Sequence, residues 1–261
     1  MIGVGMSSDD VIPLSLPSYF EDSIMAFMAP IKPFELEEVP LAQHDEVSTF
    51  ATEKRRIEHL SGRWLLGQAL QRWGVNDLGT LMVVRNEQRA PRVIHLQGVW
   101  VNTPLPSISI AHSQTHAFVA LATPKASVGI DAEPEGRILA SNALDMMSKG
   151  DELQRIRQQP ERSMKLWTGK EAIQKAMGVG MNLNPRDIQL SIEDSQQNIS
   201  IGNSIFQLGY WIFNGFHISL AYNPRDNQPI TPEEALLQET REAMEQQPDR
   251  GVGCNTTRNN A

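Results

Sequence analysis

Only one cysteine, Cys254, occurs in the 261 residues, and it sits in a polar tail. An internal disulfide is therefore impossible, and no cysteine cluster can hold zinc. Long apolar runs are absent too: nothing approaches the roughly 18 residues that a spanning helix needs. The first residues, MIGVGMSSDDVIPLSLP, lack the basic start and apolar core of a signal peptide. A cytoplasmic protein without a membrane segment is the expectation. Positive charge is scarce overall, since the net charge is −8. That balance argues against a general nucleic-acid binder, which usually shows a basic footprint.

The distribution of charge is more informative than its sum. Residues 1–46 carry one basic residue, Lys32, against nine acidic ones. Residues 53–92 hold eight basic residues against four acidic ones, a local +4. Such a segment suits a phosphate-rich ligand or an acidic partner, although a solvated helix face is the commoner meaning of charge alone.

Periodicity divides the chain into helix followed by strands, twice over. Residues 1–44 read as an irregular, acidic lead-in with a short strand or two. Helical spacing then runs through Val47, Phe50, Ile57, Leu60, Trp64, Leu65, Ala69 and Trp73, with Gly74 as the stop. A strand is expected at 81–85, a polar loop through Pro91, and two strands about a tight turn within 107–122. Another strand covers 127–131 and is closed by Pro134. Helices follow at about 138–158 and 161–177, the second ended by Gly178, and strands return at 187–193, 203–213 and 216–222. Asn214-Gly215 marks a hairpin. Thr231-Pro232-Glu233-Glu234 is a capping-box start for a short helix over 232–246, and the tail beyond it has a disordered composition. This order implies an α+β fold of two lobes, 45–124 and 125–223, between the lead-in 1–44 and a polar tail 224–261.

Three segments could carry chemistry. In Val-Gly-Ile-Asp-Ala-Glu, 128–133, strand alternation puts Asp131 and Glu133 on one side with Ala132 turned away. Two like charges so close call for a cation or a raised pKa. In residues 165–176, KLWTGKEAIQKA, helical spacing aligns Trp167, Glu171 and Lys175 on one face. At 110–113, Ile-Ala-His-Ser offers an imidazole, a hydroxyl and backbone N–H groups in a turn, a set suited to phosphate oxygens. Each alone is more often mundane: a polar strand edge, a surface i,i+4 ion pair, a polar turn. Taken together, three carboxylates without His or Cys select a hard cation, Mg²⁺ before Zn²⁺. A lysine one helical turn away can neutralise a departing phosphate. The residues alone thus point to a magnesium-dependent enzyme acting on a phosphate ester or anhydride, and they leave its substrate open.

The ordered set resembles the 4′-phosphopantetheinyl transferases, specifically the larger two-lobed group typified by the surfactin-synthetase activator. The resemblance is carried by Ser-Ile-Ala-His-Ser at 109–113, Gly-Ile-Asp-Ala-Glu at 129–133 and WTGKEAIQKAMG at 167–178, with a weaker block at Ser61-Gly62-Arg63. It implies a pseudo-dimer of two similar α+β lobes, each a small antiparallel sheet packed with helices. It implies Mg²⁺ held by Asp131, Glu133 and Glu171, and coenzyme A contacts from Arg63, His112, Ser113 and Lys175. Glu171 and Lys175 then take the catalytic roles. The reaction would move 4′-phosphopantetheine from coenzyme A to a serine of an apo acyl or peptidyl carrier protein, releasing adenosine 3′,5′-bisphosphate, in a monomer. Ala90 stands where relatives carry a lysine before the proline, and Arg89 or Arg92 is the available substitute. Rival readings are a non-catalytic coenzyme A or carrier-binding regulator, and a magnesium-dependent phosphodiesterase acting on coenzyme A.

Overall fold

The computed structural model describes residues 7–20, 23–96, 98 and 104–224. The helix expected over 232–246 and the tail lie outside the described residues.

Two helices and the two sheets beneath them position everything that follows. Strands β1 (Ile12–Pro13) and β2 (Ile24–Pro30) lead to the short α1 (His44–Ser48) and to α2 (Glu53–Trp73). The hairpin β3 (Leu81–Arg85) and β4 (Pro91–His95) comes next, then β5 (Ser107–His112) and β6 (His116–Ala122). The second half comprises β7 (Ser127–Pro134), α3 (Ser141–Met147), α4 (Gly150–Gln158), α5 (Ser163–Met177), β8 (Gln196–Ile201), β9 (Ser204–Phe213) and β10 (Phe216–Asn223). One antiparallel sheet runs β1-β2-β6-β5, the other β7-β10-β9-β8, and β3-β4 stands as a separate ribbon.

Strand alternation sorts the apolar residues into layers. On β2 and β6, Phe27, Ala29, Val119 and Leu121 turn towards Leu65, Leu66, Ala69 and Leu70 of α2. Their neighbours Ala26, Met28, Phe118 and Ala120 turn the other way and meet Val128, Ile130, Ile218 and Leu220 of the second sheet. The far face of that sheet, with Leu208 and Ala221, packs on Ala172, Ile173 and Ala176 of α5. The result is a sandwich of helix, sheet, sheet and helix, an α+β fold of two similar lobes. Side-chain hydroxyls of β5 stitch the lobes together: Ser107 Oγ donates to the carbonyl of Ala126 at 2.6 Å, and Ser109 Oγ accepts from the N–H of Ile130 at 3.0 Å.

Caps define the helix ends. Thr52 accepts from the N–H of Arg55 and starts α2, while Gly74, in a left-handed conformation at φ 104°, ends it. Gly178 ends α5 in the same way at φ 65°. Asn214 and Gly215, both at positive φ, close the β9–β10 hairpin as their dipeptide signal requires.

Several expected elements differ. The single helix over 138–158 is two, because the chain turns through an extended Ser148 and a left-handed Gly150. Residues 188–193 are not a strand. Ile188, Leu190 and Ile192 alternate inward as a strand would, but Ile188 donates back to the carbonyl of Pro185, and Leu190 and Ile192 bond side chains. Glu152 accepts from the N–H of Leu190, and Arg162 and Lys165 donate to the carbonyl of Ile192. The real edge strand is the polar β8, whose sequence QQNISI carries little apolar signal. Pro91, expected in a loop, begins β4, which pairs with β3. In the N-terminal stretch, β2 is an inner strand of the first sheet, flanked by β1 and β6.

Candidate active site at the junction of the lobes

Gly129 explains why a strand and a helix from the same lobe come so close. A Cβ at this position would lie 1.9 Å from the carbonyl oxygen of Ala172, so only glycine lets α5 rest directly on β7. That approach brings the last two turns of α5 alongside Asp131. Lys175 Nζ donates to Asp131 Oδ1 at 2.6 Å and to the carbonyl of Ile130 at 3.2 Å. Asp131 is buried, and Ala132 points into the core between the sheets, as the alternation requires. Glu133 accepts from Arg137 at 2.6 Å. Lys175 turns to Asp131, so the i,i+4 pair with Glu171 that the spacing allows is not made.

Electrostatics link the three acids. Burial raises the carboxyl of Asp131, against the opposing charge of Lys175. Glu171 is raised first by burial, with Asp131 and Glu133 adding repulsion and Lys175 opposing. Glu133 is raised by burial, partly offset by Arg137, and again feels Asp131. Each of these side chains is therefore within reach of another's field, and a cation would relieve all three at once. Among the described residues, no three His, Cys, Asp or Glu side chains already stand in a ligating array. Asp131 and Glu133 are neutralised instead by Lys175 and Arg137. The donor set of three hard oxygens fits Mg²⁺ by its chemistry.

Next to these acids lies a cavity of about 270 Å³ between the lobes. Its walls are basic: Arg55 and Arg63 from α2, and Arg85 and Arg89 from the β3–β4 ribbon, face Glu171 and Lys175 of α5. His59 and His112 also line it. The arginines come from the +4 segment noted in the sequence. Arg89 is on the wall, at positive φ in the hairpin turn, whereas Arg92 is not. Ser113 is buried beyond the wall, with its Oγ unpartnered and its N–H donating to the carbonyl of His116.

Both histidines are held neutral. Burial is the main cause for each, pushing His112 down to about 3 with help from the charges of Arg55 and Lys175, and His59 down to about 4 with help from Arg63. The place of His112 depends on Gly62, where a Cβ would come within 2.5 Å of His112 Nε2. Ser61 contributes differently: its hydroxyl exchanges hydrogen bonds with the backbone of Lys32, at 3.1 and 2.9 Å. The block Ser61-Gly62-Arg63 thus anchors a loop, admits an imidazole and supplies a guanidinium.

Arg63 is the least satisfied group here. It is 2 % exposed, yet Nε and Nη1 have no hydrogen-bond partner. Burial lowers its guanidinium to about 10, against the favourable charge of Glu46. Buried donors without partners are rare in native proteins and mark a place where a ligand can bind.

The sequence of the second lobe is similar to a known family. Residues 127–229 match the family model of the 4′-phosphopantetheinyl transferase superfamily. That segment of the chain is similar to this superfamily. No curated protein matches the chain. The matched segment begins at β7 and includes α5, so Asp131, Glu133, Glu171 and Lys175 all lie within it. Most of the basic wall does not: Arg55, Arg63, Arg85 and Arg89 precede the matched residues and reach the same cavity from the other lobe.

Sequence reasoning passed over Arg55, His59, Arg85, Glu46 and Asn86. The charge count pointed to the region but not to the residues, since Arg72 and Arg92 contribute equally to it. Asn86 joins the lobes on one side of the cavity, donating from Nδ2 to the carbonyl of Gly178 at 3.0 Å.

Proposed function

We propose that this protein transfers 4′-phosphopantetheine from coenzyme A to a serine hydroxyl of an apo carrier protein, with Mg²⁺ bound by Asp131, Glu133 and Glu171. The observation that carries this reading is the meeting of two features in one cleft. Glu171 and Lys175 from one lobe, the lysine paired with Asp131, line the same cavity as Arg55, Arg63, Arg85 and Arg89 from the other. Such a wall suits the phosphates of coenzyme A, and the acids suit the cation that accompanies a pyrophosphate.

In this reading, Arg63 and its neighbours bind the adenosine-end phosphate, while His112, neutral, and Ser113 sit at the turn near the pyrophosphate. A carboxylate oxygen of Glu171 takes the proton of the carrier serine, a role favoured by the burial that raises its basicity. The serine oxygen forms a bond to the phosphorus bearing the pantetheine arm. The anhydride bond to the adenosine phosphate breaks, and Lys175 Nζ stabilises the departing adenosine 3′,5′-bisphosphate. Bound Mg²⁺ would supply neutralisation of the charge that builds on the pyrophosphate. The attacking hydroxyl belongs to the partner, so no serine of this chain acts as nucleophile. Because one chain supplies both walls, the active form is a monomer in this proposal, and it works in the cytoplasm. Among the described residues, no helix is long and apolar enough to cross a membrane.

Intact-mass spectrometry of apo carrier proteins incubated with this protein, coenzyme A and Mg²⁺ tests the proposal. The expected result is a gain of one phosphopantetheine arm that EDTA prevents. Release of free phosphopantetheine without carrier labelling would establish a phosphodiesterase instead. Coenzyme A binding without either product would establish a regulator.

A further inference from the structure

Behind the basic wall, one carboxylate touches three cationic or potentially cationic groups. Glu46 Oε1 accepts from Arg85 Nε at 2.6 Å, and Oε2 accepts from Arg63 Nη2 at 3.2 Å. His59 Nε2 stands 3.6 Å from the same Oε2. Burial pushes the Glu46 carboxyl up, but the charges of Arg63 and then Arg85 outweigh it and hold it below the ordinary carboxylate range. Each oxygen serves a different arginine, and the three residues come from three elements: α1, α2 and β3. The contact therefore does what neither arginine can do alone. It draws a buried guanidinium on a helix and a part-exposed one on a ribbon to a common point, with Arg85 fixed further by donating from Nη1 to the carbonyl of Arg89 at 3.1 Å.

What remains is directional. Glu46 takes one donor of Arg63 and leaves Nε and Nη1, both buried and unpartnered, on a residue that lines the cavity. A guanidinium presents its donors as a rigid fork, so fixing one nitrogen orients the others. We propose that Glu46 is a positioning residue, a bridging counter-ion that sets Arg63 and Arg85 as a clamp for a terminal phosphate monoester, distinct from the pyrophosphate. This rests on the reading of coenzyme A as substrate. The ligand feature it selects is the 3′-phosphate, the one monoester that molecule carries.

The charge of Glu46 makes the claim testable, because simple electrostatics predicts the opposite sign. Removing a negative charge beside a phosphate site should tighten phosphate binding if charge alone mattered. If Glu46 acts by positioning, its removal loosens the clamp instead.

The experiment is calorimetric binding of coenzyme A and of dephospho-coenzyme A, which lacks the 3′-phosphate, to the full chain and to its Glu46→Gln and Glu46→Asp variants. Circular dichroism melts establish that each variant is folded. The wild type is expected to prefer coenzyme A, and both variants to lose about tenfold of that preference, as for loss of a charge-assisted pair, with dephospho-coenzyme A binding unchanged. Glu46→Asp keeps the charge but is too short to serve both arginines, so its loss isolates geometry. Tighter coenzyme A binding by Glu46→Gln, a parallel fall for both ligands, or a wild type indifferent to the 3′-phosphate overturns the inference. A wild type that binds neither ligand overturns the coenzyme A reading itself.

Discussion

Lys175 Nζ lies 2.6 Å from Asp131 Oδ1, so the lysine and a divalent cation would compete for one carboxylate. Replacing Lys175 by Met removes the competitor and leaves Asp131 buried without its counter-charge. The expected outcome is a several-fold tighter affinity for Mn²⁺, read by electron paramagnetic resonance, together with a loss of transfer activity of about 100-fold, a typical scale for removing a group that stabilises a developing charge. Unchanged Mn²⁺ affinity would remove Asp131 from the cation site.

The contact of Gly129 with Ala172 makes a separate prediction about packing. In Gly129→Ala the new methyl meets a backbone carbonyl at 1.9 Å, which cannot rotate away, so α5 must lift from β7. A loss of at least about 2 kcal/mol in urea denaturation is expected, at the upper end of overpacking costs. Gly62→Ala meets the far end of the His112 side chain instead, and should weaken coenzyme A binding more than it lowers stability.

Lys170 and Glu152 form a buried pair whose donors and acceptors are all used. The ammonium bonds Glu152 Oε2 at 2.5 Å and the carbonyls of Met147 and Pro185 at 2.6 and 2.9 Å, while Glu152 Oε1 takes the N–H of Leu190 at 2.8 Å. Lys170→Met strands a carboxylate and should cost about 3–5 kcal/mol. The double variant Lys170→Met, Glu152→Met should cost less than the sum of the two singles, as a double-mutant cycle would report. Since Lys170 precedes Glu171, this pair also fixes how α5 presents its acid.

His112 and His59 give stability a pH slope. Both are depressed in the folded state from 6.5, to about 3 and about 4, so the unfolded chain takes up protons first as pH falls. Their contribution is complete above 6.5 and is lost progressively as pH falls towards 4 and then 3. The raised carboxyls of Asp131, Glu133 and Glu171 act in the opposite sense, which makes a difference measurement the right one. The fall in unfolding free energy between pH 6.5 and 4 should be smaller in His112→Asn than in the wild type. Equal slopes would mean that His112 is not buried as a neutral ring.

Much of this was legible in the sequence because it depends on spacing. Alternation placed Asp131 and Glu133 together and Ala132 apart, and helical repeat placed Glu171 one turn from Lys175. Glycine signals at 74, 178 and 215 ended two helices and closed a hairpin. Illegible were features set by partners distant in the chain. Ile188, Leu190 and Ile192 follow a strand's rhythm, but Glu152, Arg162 and Lys165 claim the backbone groups that a strand would need. No local pattern announces β8, which is a strand only because β9 pairs with it. Glu46 lies in the acidic N-terminal stretch, and nothing nearby shows that its carboxylate meets Arg63 and Arg85. Gly129 reads as a weak spot in a strand until Ala172 is seen against it.

The two sheets have no solvent-facing alternative for Met28, Phe118, Ile130 and Leu220, because each sheet is the other's cover. A chain cut between β6 and β7 would yield two halves, each with one finished side and one bare apolar side. Neither piece should persist as a soluble monomer, even though the family signature sits wholly in the second. Heating the intact chain should accordingly melt both lobes in a single transition, and the cleft they frame should vanish with the fold rather than open ahead of it.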